Sequence, residues 1–203
     1  MIELLLPKHC AGCGAAGRAL CSACRRHLAR PPRRIFTPVD PHIPVWALGP
    51  YSGVHREVVL GMKERGRRDI PAYLGAVLGS GIEHLAARGE LPEPESLTLV
   101  PAPTKSASAR LRGGDPVTAV AKSSGLRVAG CVRHGSQVGE SVGLSASARR
   151  RNLAGKVILD RIPPAPVLLV DDVVTTGSTL AETASVLFAA NVQVAGALVI
   201  CVA

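Results

Sequence analysis

The stretch at 167–180, VLLVDDVVTTGSTL, constrains the fold more than any other part of the chain. Its first four residues are apolar without interruption, the pattern of a strand buried on both faces in a parallel sheet. Charge follows at once in Asp171 and Asp172, where the strand is expected to end. A run of small and hydroxyl residues comes next, with Thr175, Thr176, Gly177, Ser178 and Thr179, and 180–190 has helical composition. In an open α/β sheet, ligands bind outside the carboxyl ends of the strands, and a helix N-terminus offers unpaired N–H groups and positive partial charge to an anion. The expectation is a loop that cradles a phosphate.

Gly177 lets the backbone approach a phosphate oxygen, and the Thr and Ser hydroxyls add donors that rotate to suit it. Two adjacent carboxylates beside an anion site fit a ligand with a phosphate at one end and hydroxyls at the other. A ribose 5-phosphate has both, its 2- and 3-hydroxyls donating to Asp171 and Asp172. The simpler use, an acidic pair that caps and solvates a turn, stays open. A Walker-type loop is disfavoured because no Gly-Lys-Ser/Thr follows. Across the acidic pair and Thr-Thr-Gly-Ser-Thr, the segment resembles, residue by residue, the phosphoribosyl pyrophosphate signature of type I phosphoribosyltransferases. That resemblance implies a doubly wound, mainly parallel α/β sheet and phosphoribosyl pyrophosphate as the ligand.

A chain of 203 residues with 47% hydrophobic and 19% charged content has room for one substantial core and a small appendage. The apolar start at 2–6 is too short for a signal peptide and is broken by Glu3 and Pro7. No apolar run has the length of a transmembrane helix, so the expectation is a cytoplasmic protein without membrane insertion. The net charge of +9 points to anionic partners, phosphorylated small molecules or nucleic acid. Only 2% of residues are aromatic, which weighs against base stacking and leaves a phosphate-tracking groove open.

Cys10, Cys13, Cys21 and Cys24 form C-x2-C-x7-C-x2-C. Two such knuckles converge four thiolates on one tetrahedral ion, with Gly12 and Gly14 easing the first turn, and zinc is favoured. Disulfide pairing fits poorly with a chain lacking a secretion signal. Four thiolates leave no open coordination position, so the metal is structural and holds a module too small to form its own core. The division expected is a zinc module at 1–30, a Pro- and Arg-rich linker at 31–44 and a main domain at 45–203. Arg25, Arg26, Arg30, Arg33 and Arg34 lie in or beside the linker, where nucleic-acid contact and a solvated tether are equally open.

Helices are expected over much of 51–66, with Val58, Val59 and Met62 as an apolar stripe, and over 70–88, opened by Pro71. Lys63, Arg65, Arg67 and Arg68 cluster at the end of the first, where cations favour a helix C-terminus on stability grounds alone. A short strand at 97–100 leads into Pro101, Ala102 and Pro103, a loop resembling the pyrophosphate-binding loop of type I transferases. Lys105, Arg110 and Arg112 follow, with Gly113-Gly114 as a hinge. The excursion at 133–155 carries Gln137, Leu144 and Arg149-Arg150-Arg151-Asn152, and a loop of that length is usually functional or mobile. Cys131 and Cys201 read as inert core residues.

The four cysteines, Tyr51-x-Gly53, Lys63-x-x-Gly66 and the Gln, Leu and Arg-x-Arg-Asn order together resemble the competence protein F family. That resemblance implies pyrophosphate contacts from Lys63, Pro101, Ala102, Pro103, Lys105, Arg110, Arg149 and Arg151, and magnesium arriving with the phosphoribosyl ligand. It also implies a link to DNA uptake, with single-stranded DNA and the uptake helicase machinery as partners. The chain departs from the family after Gly113, with Gly114-Asp115-Pro116 where an aromatic residue and Asn-Gln are usual. Purine-salvage enzymes of this class place a carboxylate three residues after the acidic pair, where this chain has Thr175. Purine salvage is thereby disfavoured, and three readings remain: a transferase with an unidentified acceptor, a phosphoribosyl-ligand sensor, and a non-catalytic DNA-uptake component.

Overall fold

The structure, a computed structural model, describes residues 9–103, 114–135 and 157–203. Its centre is a six-stranded, mostly parallel sheet with helices on both faces. In chain order the elements are α1 (Ser22–Leu28), β1 (Arg33–Ile35), β2 (Val45–Pro50), α2 (Gly53–Lys63) and α3 (Ile70–Ala87). After them come β3 (Thr98–Pro101), α4 (Pro116–Ser123), β4 (Arg127–Val128), β5 (Val132–His134) and β6 (Val157–Leu159). The chain closes with β7 (Val167–Val174), α5 (Ser178–Ala189) and β8 (Val194–Val202). The sheet order is β1-β2-β8-β7-β3-β4, and only the β1–β2 pair is antiparallel. β5 and β6 make a separate antiparallel ribbon.

The apolar start of β7 is buried as its composition requires, with Val167, Leu168, Leu169 and Val170 all at 0% exposure between β8 and β3. Because side chains alternate along a strand, Leu168 and Val170 join one core layer with α2, α3 and α4. Val167 and Leu169 join the other, with Leu180, Ala184 and Leu187 of α5. The connections explain this. From β7 the chain passes through α5 to β8 on one side, and from β3 through α4 to β4 on the other. Parallel crossovers are right-handed, so connections leaving in opposite directions place their helices on opposite faces. β7 and β3 are therefore the neighbours at which the winding reverses, and the crevice outside their carboxyl ends is where an α/β sheet receives ligands.

β7 does not stop at the acidic pair, as the sequence suggested. It runs through Asp171 and Asp172 to Val174, with Asp171 opposite Val199, Val173 opposite Cys201 and Val174 opposite Val202. The nine residues of β8 supply partners that far, and the β-branched Val173 and Val174 suit a strand.

The segment at 31–44 is also more than a tether. Arg33, Arg34 and Ile35 pair antiparallel with Ala47, Trp46 and Val45 at the sheet edge, a position that tolerates flanking prolines. Arg34 lies over the Trp46 ring, 5.3 Å from its centroid. Nor is the cysteine segment separate from the main core. Ala11, Leu20 and Leu28 share a buried cluster with α2 and α3. Arg67 fastens the segment, donating to the carbonyls of His9 (2.9 Å) and Ala19 (3.2 Å) while pairing with Asp69. Arg25 adds a contact over the Tyr73 ring at 4.7 Å. Among the described residues no helix is long and apolar enough to cross a membrane.

Candidate functional site

The loop after β7 is short and tightly held. Thr175 and Thr176 are exposed, Gly177 is buried, and α5 begins at Ser178. Gly177 has φ 84°, a left-handed conformation that costs glycine little. A Cβ there would lie 2.5 Å from Thr37 Oγ1 and 2.7 Å from the Val39 carbonyl oxygen. The backbone is thus pressed against the segment before β2. The Val39 N–H donates to the Thr176 carbonyl at 2.8 Å, and Thr37 Oγ1 donates to the Val39 carbonyl at 2.7 Å. This strap was not legible in the sequence, because proline density at 31–44 suggests extension without indicating what the extended chain touches.

Within the loop the Thr176 and Ser178 hydroxyls are 2.9 Å apart. No side chain caps α5 from the Gly177 position, so the amides of its first turn face the loop without a carboxylate at that place. Asp171, residues 173–179 and Leu180 line a cavity of about 40 Å³, room for a group of a few heavy atoms.

The structure separates the two acids. Asp171 lines that cavity, whereas the buried Asp172 points to the opposite face of the sheet and pairs with Lys63 Nζ at 3.0 Å. They remain linked through the backbone, the Asp172 N–H donating to Asp171 Oδ1 at 2.8 Å. Burial first, and the neighbouring Asp172 charge second, push the Asp171 carboxyl up to about 7, while that N–H and Lys63 hold it down. Asp171 therefore ionises close to neutrality, whereas an ordinary carboxylate does so far below it.

Of the other expected phosphate-contacting residues, Pro101, Ala102 and Pro103 are buried at the end of β3 beside β7. The Ala102 N–H donates to the Val170 carbonyl at 2.7 Å, which fixes this loop next to Asp171. Lys105, Arg110, Arg149 and Arg151 lie outside the described residues, as do Arg112, Gln137, Leu144 and Asn152. Among the cations clustered at the end of α2, Lys63 reaches the acidic pair. Arg65 instead pairs with Glu57 at 2.9 Å, and Arg67 holds the cysteine segment.

The four sulfurs of Cys10, Cys13, Cys21 and Cys24 lie within 4.8 Å of one another and could hold a metal ion. A tetrahedral set with metal–sulfur bonds of about 2.3 Å has its sulfurs roughly 3.8 Å apart, and Cys13 Sγ and Cys21 Sγ are 3.7 Å apart. All four are free thiols. Gly12 is required by the close approach of α1 and α2, since a Cβ there would lie 2.9 Å from Cys24 Sγ and 2.8 Å from Val54. Burial raises the Cys10 thiol, but N–H groups, chiefly that of Cys21, more than offset it and bring it down to about 6. Cys24 moves the other way, pushed well up by burial and by the neighbouring thiols. Four crowded sulfurs that cannot all ionise unaided are the donor set a divalent cation would relieve. Cys131 and Cys201 are buried far from this set in sequence, and burial raises both thiols, Cys201 to about 12.

No protein-family model matches the chain, and a search of the curated proteins finds no match either.

Proposed function

We propose that the protein binds phosphoribosyl pyrophosphate, or a related ribose phosphate, in the crevice between β7 and β3, on a fold of the type I phosphoribosyltransferase kind. The observation that carries this reading is the cavity between Asp171 and the loop 175–180, at the mouth of α5 and at the point where the sheet reverses its winding. The 5-phosphate rests against the loop amides and the hydroxyls of Thr175, Thr176, Ser178 and Thr179. Gly177 allows the close approach, and Asp171 accepts from the sugar hydroxyls. The buried loop Pro101–Pro103 borders the side where the pyrophosphate leaves. Magnesium, a hard cation that prefers oxygen ligands, is carried on the ligand's own oxygens and neutralises part of the pyrophosphate charge.

In a transferase built this way the bond from C1 to the pyrophosphate oxygen breaks, a bond from C1 to the acceptor forms, and pyrophosphate departs. The chain's own residues contribute orientation and charge stabilisation. The acceptor is not a purine on this reading, since Thr175 stands where a carboxylate handles the base proton. The four-cysteine cluster holds zinc in a structural role.

One observation favours a second, nucleic-acid reading linked to the competence protein F resemblance. Arg26 in α1, Arg30 in the turn that follows it and Arg33 at the start of β1 are all exposed within one short stretch of chain. A single-stranded DNA contact there would weaken steeply with salt and would survive loss of Asp171.

Thermal denaturation with phosphoribosyl pyrophosphate and magnesium tests the main reading. A ligand that binds only the folded state at one hundred times its Kd adds about 2.7 kcal/mol, a rise of several degrees. Asp171→Ala should abolish the rise. An unchanged melting temperature in the wild type would contradict the proposal.

A further inference from the structure

The Lys63–Asp172 ion pair lies on the face of β7 opposite the cavity, where no ligand in the proposed crevice needs it. Asp172 follows Leu168 and Val170 in the alternation of the strand, and Lys63 ends α2, whose Val58, Val59 and Met62 pack in the same core layer. The Asp172 carboxyl is nearly closed to solvent and the Lys63 head is about one-third open, so their contact at 3.0 Å is screened less than a surface pair. Asp171 follows Val167 and Leu169 to the other face and lines the cavity. Only a backbone step separates the two acids, bridged by the 2.8 Å bond from the Asp172 N–H to Asp171 Oδ1.

We propose, resting on the ribose-phosphate reading above, that Lys63 is a positioning residue acting through Asp172: it neutralises the inward-facing acid so that the ligand-facing Asp171 stays available as the acceptor of sugar hydroxyls. The pair of acids is then a divided device, one member touching the ligand and the other tying the strand to α2. Lys63 need not touch the pyrophosphate at all. The charges that act on Asp171 are consistent with this assignment: Asp172 and, less strongly, Asp115 at the start of α4 raise its carboxyl, and Lys63 lowers it. Cys201, on β8, feels the same two neighbours in the same sense, Asp172 raising its thiol and Lys63 lowering it.

The test has a ligand-free arm and a ligand arm. In the ligand-free arm, the carboxyl carbon resonance of Asp171 is titrated in the wild type and in Lys63→Met, Lys63→Arg, Asp172→Asn and the double variant Lys63→Met/Asp172→Asn. Lys63 lowers the Asp171 carboxyl and Asp172 raises it, so Lys63→Met should raise the midpoint, Lys63→Arg should leave it near the wild type, and Asp172→Asn should lower it. The double variant, which leaves no buried charge unpaired, should titrate at or below the wild type but above Asp172→Asn; a double variant that titrates together with Asp172→Asn overturns the role of Lys63, and this comparison decides the matter if Lys63→Met does not fold.

In the ligand arm, calorimetry with ribose 5-phosphate across pH should show measurably weaker binding to Lys63→Met at pH 7. The loss should vanish at pH 9 and be restored at pH 7 by the double change. The phosphate's own titration is common to all variants and drops out of the ratios. An Asp171 midpoint unmoved in Lys63→Met overturns the proposal. So does a loss confined to phosphoribosyl pyrophosphate with ribose 5-phosphate binding unchanged, because that marks a direct pyrophosphate contact. If wild type binds no ribose 5-phosphate at any pH, the site reading fails, while the ligand-free titration still upholds or overturns the role of Lys63.

Discussion

Replacing Asp171 by Asn should make the protein more stable, and by an amount that depends on pH in a defined way. The carboxyl moves from an ordinary value of 3.8 to about 7 in the folded state, because burial and Asp172 disfavour its charge. The folded state therefore holds this proton more tightly than the unfolded chain does. Stability from the group is complete below about pH 4, is lost progressively as pH rises towards 7, and stays lost above it. At about 1.4 kcal/mol for each tenfold change, that interval sets an upper limit of about 4 kcal/mol. Partial exposure of Asp171 brings the expected effect to about 2–4 kcal/mol.

Asn keeps a carbonyl oxygen for the Asp172 N–H, so the variant removes the charge and leaves the bond. Urea unfolding of wild type and Asp171→Asn at pH 4, 6 and 8 measures the difference directly, with the midpoint moving at constant slope. The gap should be near zero at pH 4, grow through pH 6 and reach its full value at pH 8. A gap that is the same at all three, or a wild type more stable at pH 8, would refute the reasoning. Such a gain in stability with loss of binding is the expected trade at a functional site.

Gly177→Ala combines a left-handed backbone with a Cβ driven into Thr37 and the Val39 carbonyl, so it should cost about 2–4 kcal/mol by urea unfolding. A cost below 1 kcal/mol would mean the strap is not held against the loop. Chelation should remove one zinc per chain, measured by elemental analysis, and lower the melting temperature reversibly, because Leu20 and Leu28, each at 1% exposure, lose the scaffold that buries them. A melting temperature indifferent to chelator would count against a structural metal.

The α/β class was legible because its signals are local. An unbroken apolar run ending in a glycine turn reads as β7 and α5, and Pro71 marks the start of α3. The Cys-x-x-Cys spacing likewise showed which sulfurs gather. What could not be read depends on contacts across the sheet. The length of β7 is set by what β8 offers it, and because the strand continues through both acids the alternation of the pleat turns Asp171 and Asp172 apart. The pairing of Lys63 with Asp172 spans 109 positions of chain, and no periodicity in either segment records it. The residues at 31–44 looked like a spacer because prolines dominate their composition, yet Ile35 completes a sheet edge and Thr37 and Val39 brace the loop. Arg67 resembled its exposed neighbours Arg65 and Arg68 in sequence and is set apart by the carbonyls of His9 and Ala19 that are turned towards it.

The most direct test is isothermal calorimetry at pH 8 with ribose 5-phosphate and, separately, inorganic phosphate, on wild type and Asp171→Ala. The wild type should give saturable heat with the sugar phosphate and weaker heat with phosphate alone, and the variant should bind the two equally weakly. Identical isotherms for wild type and variant with ribose 5-phosphate, or no heat from the wild type with it, would contradict the assignment of this crevice to a phosphorylated pentose.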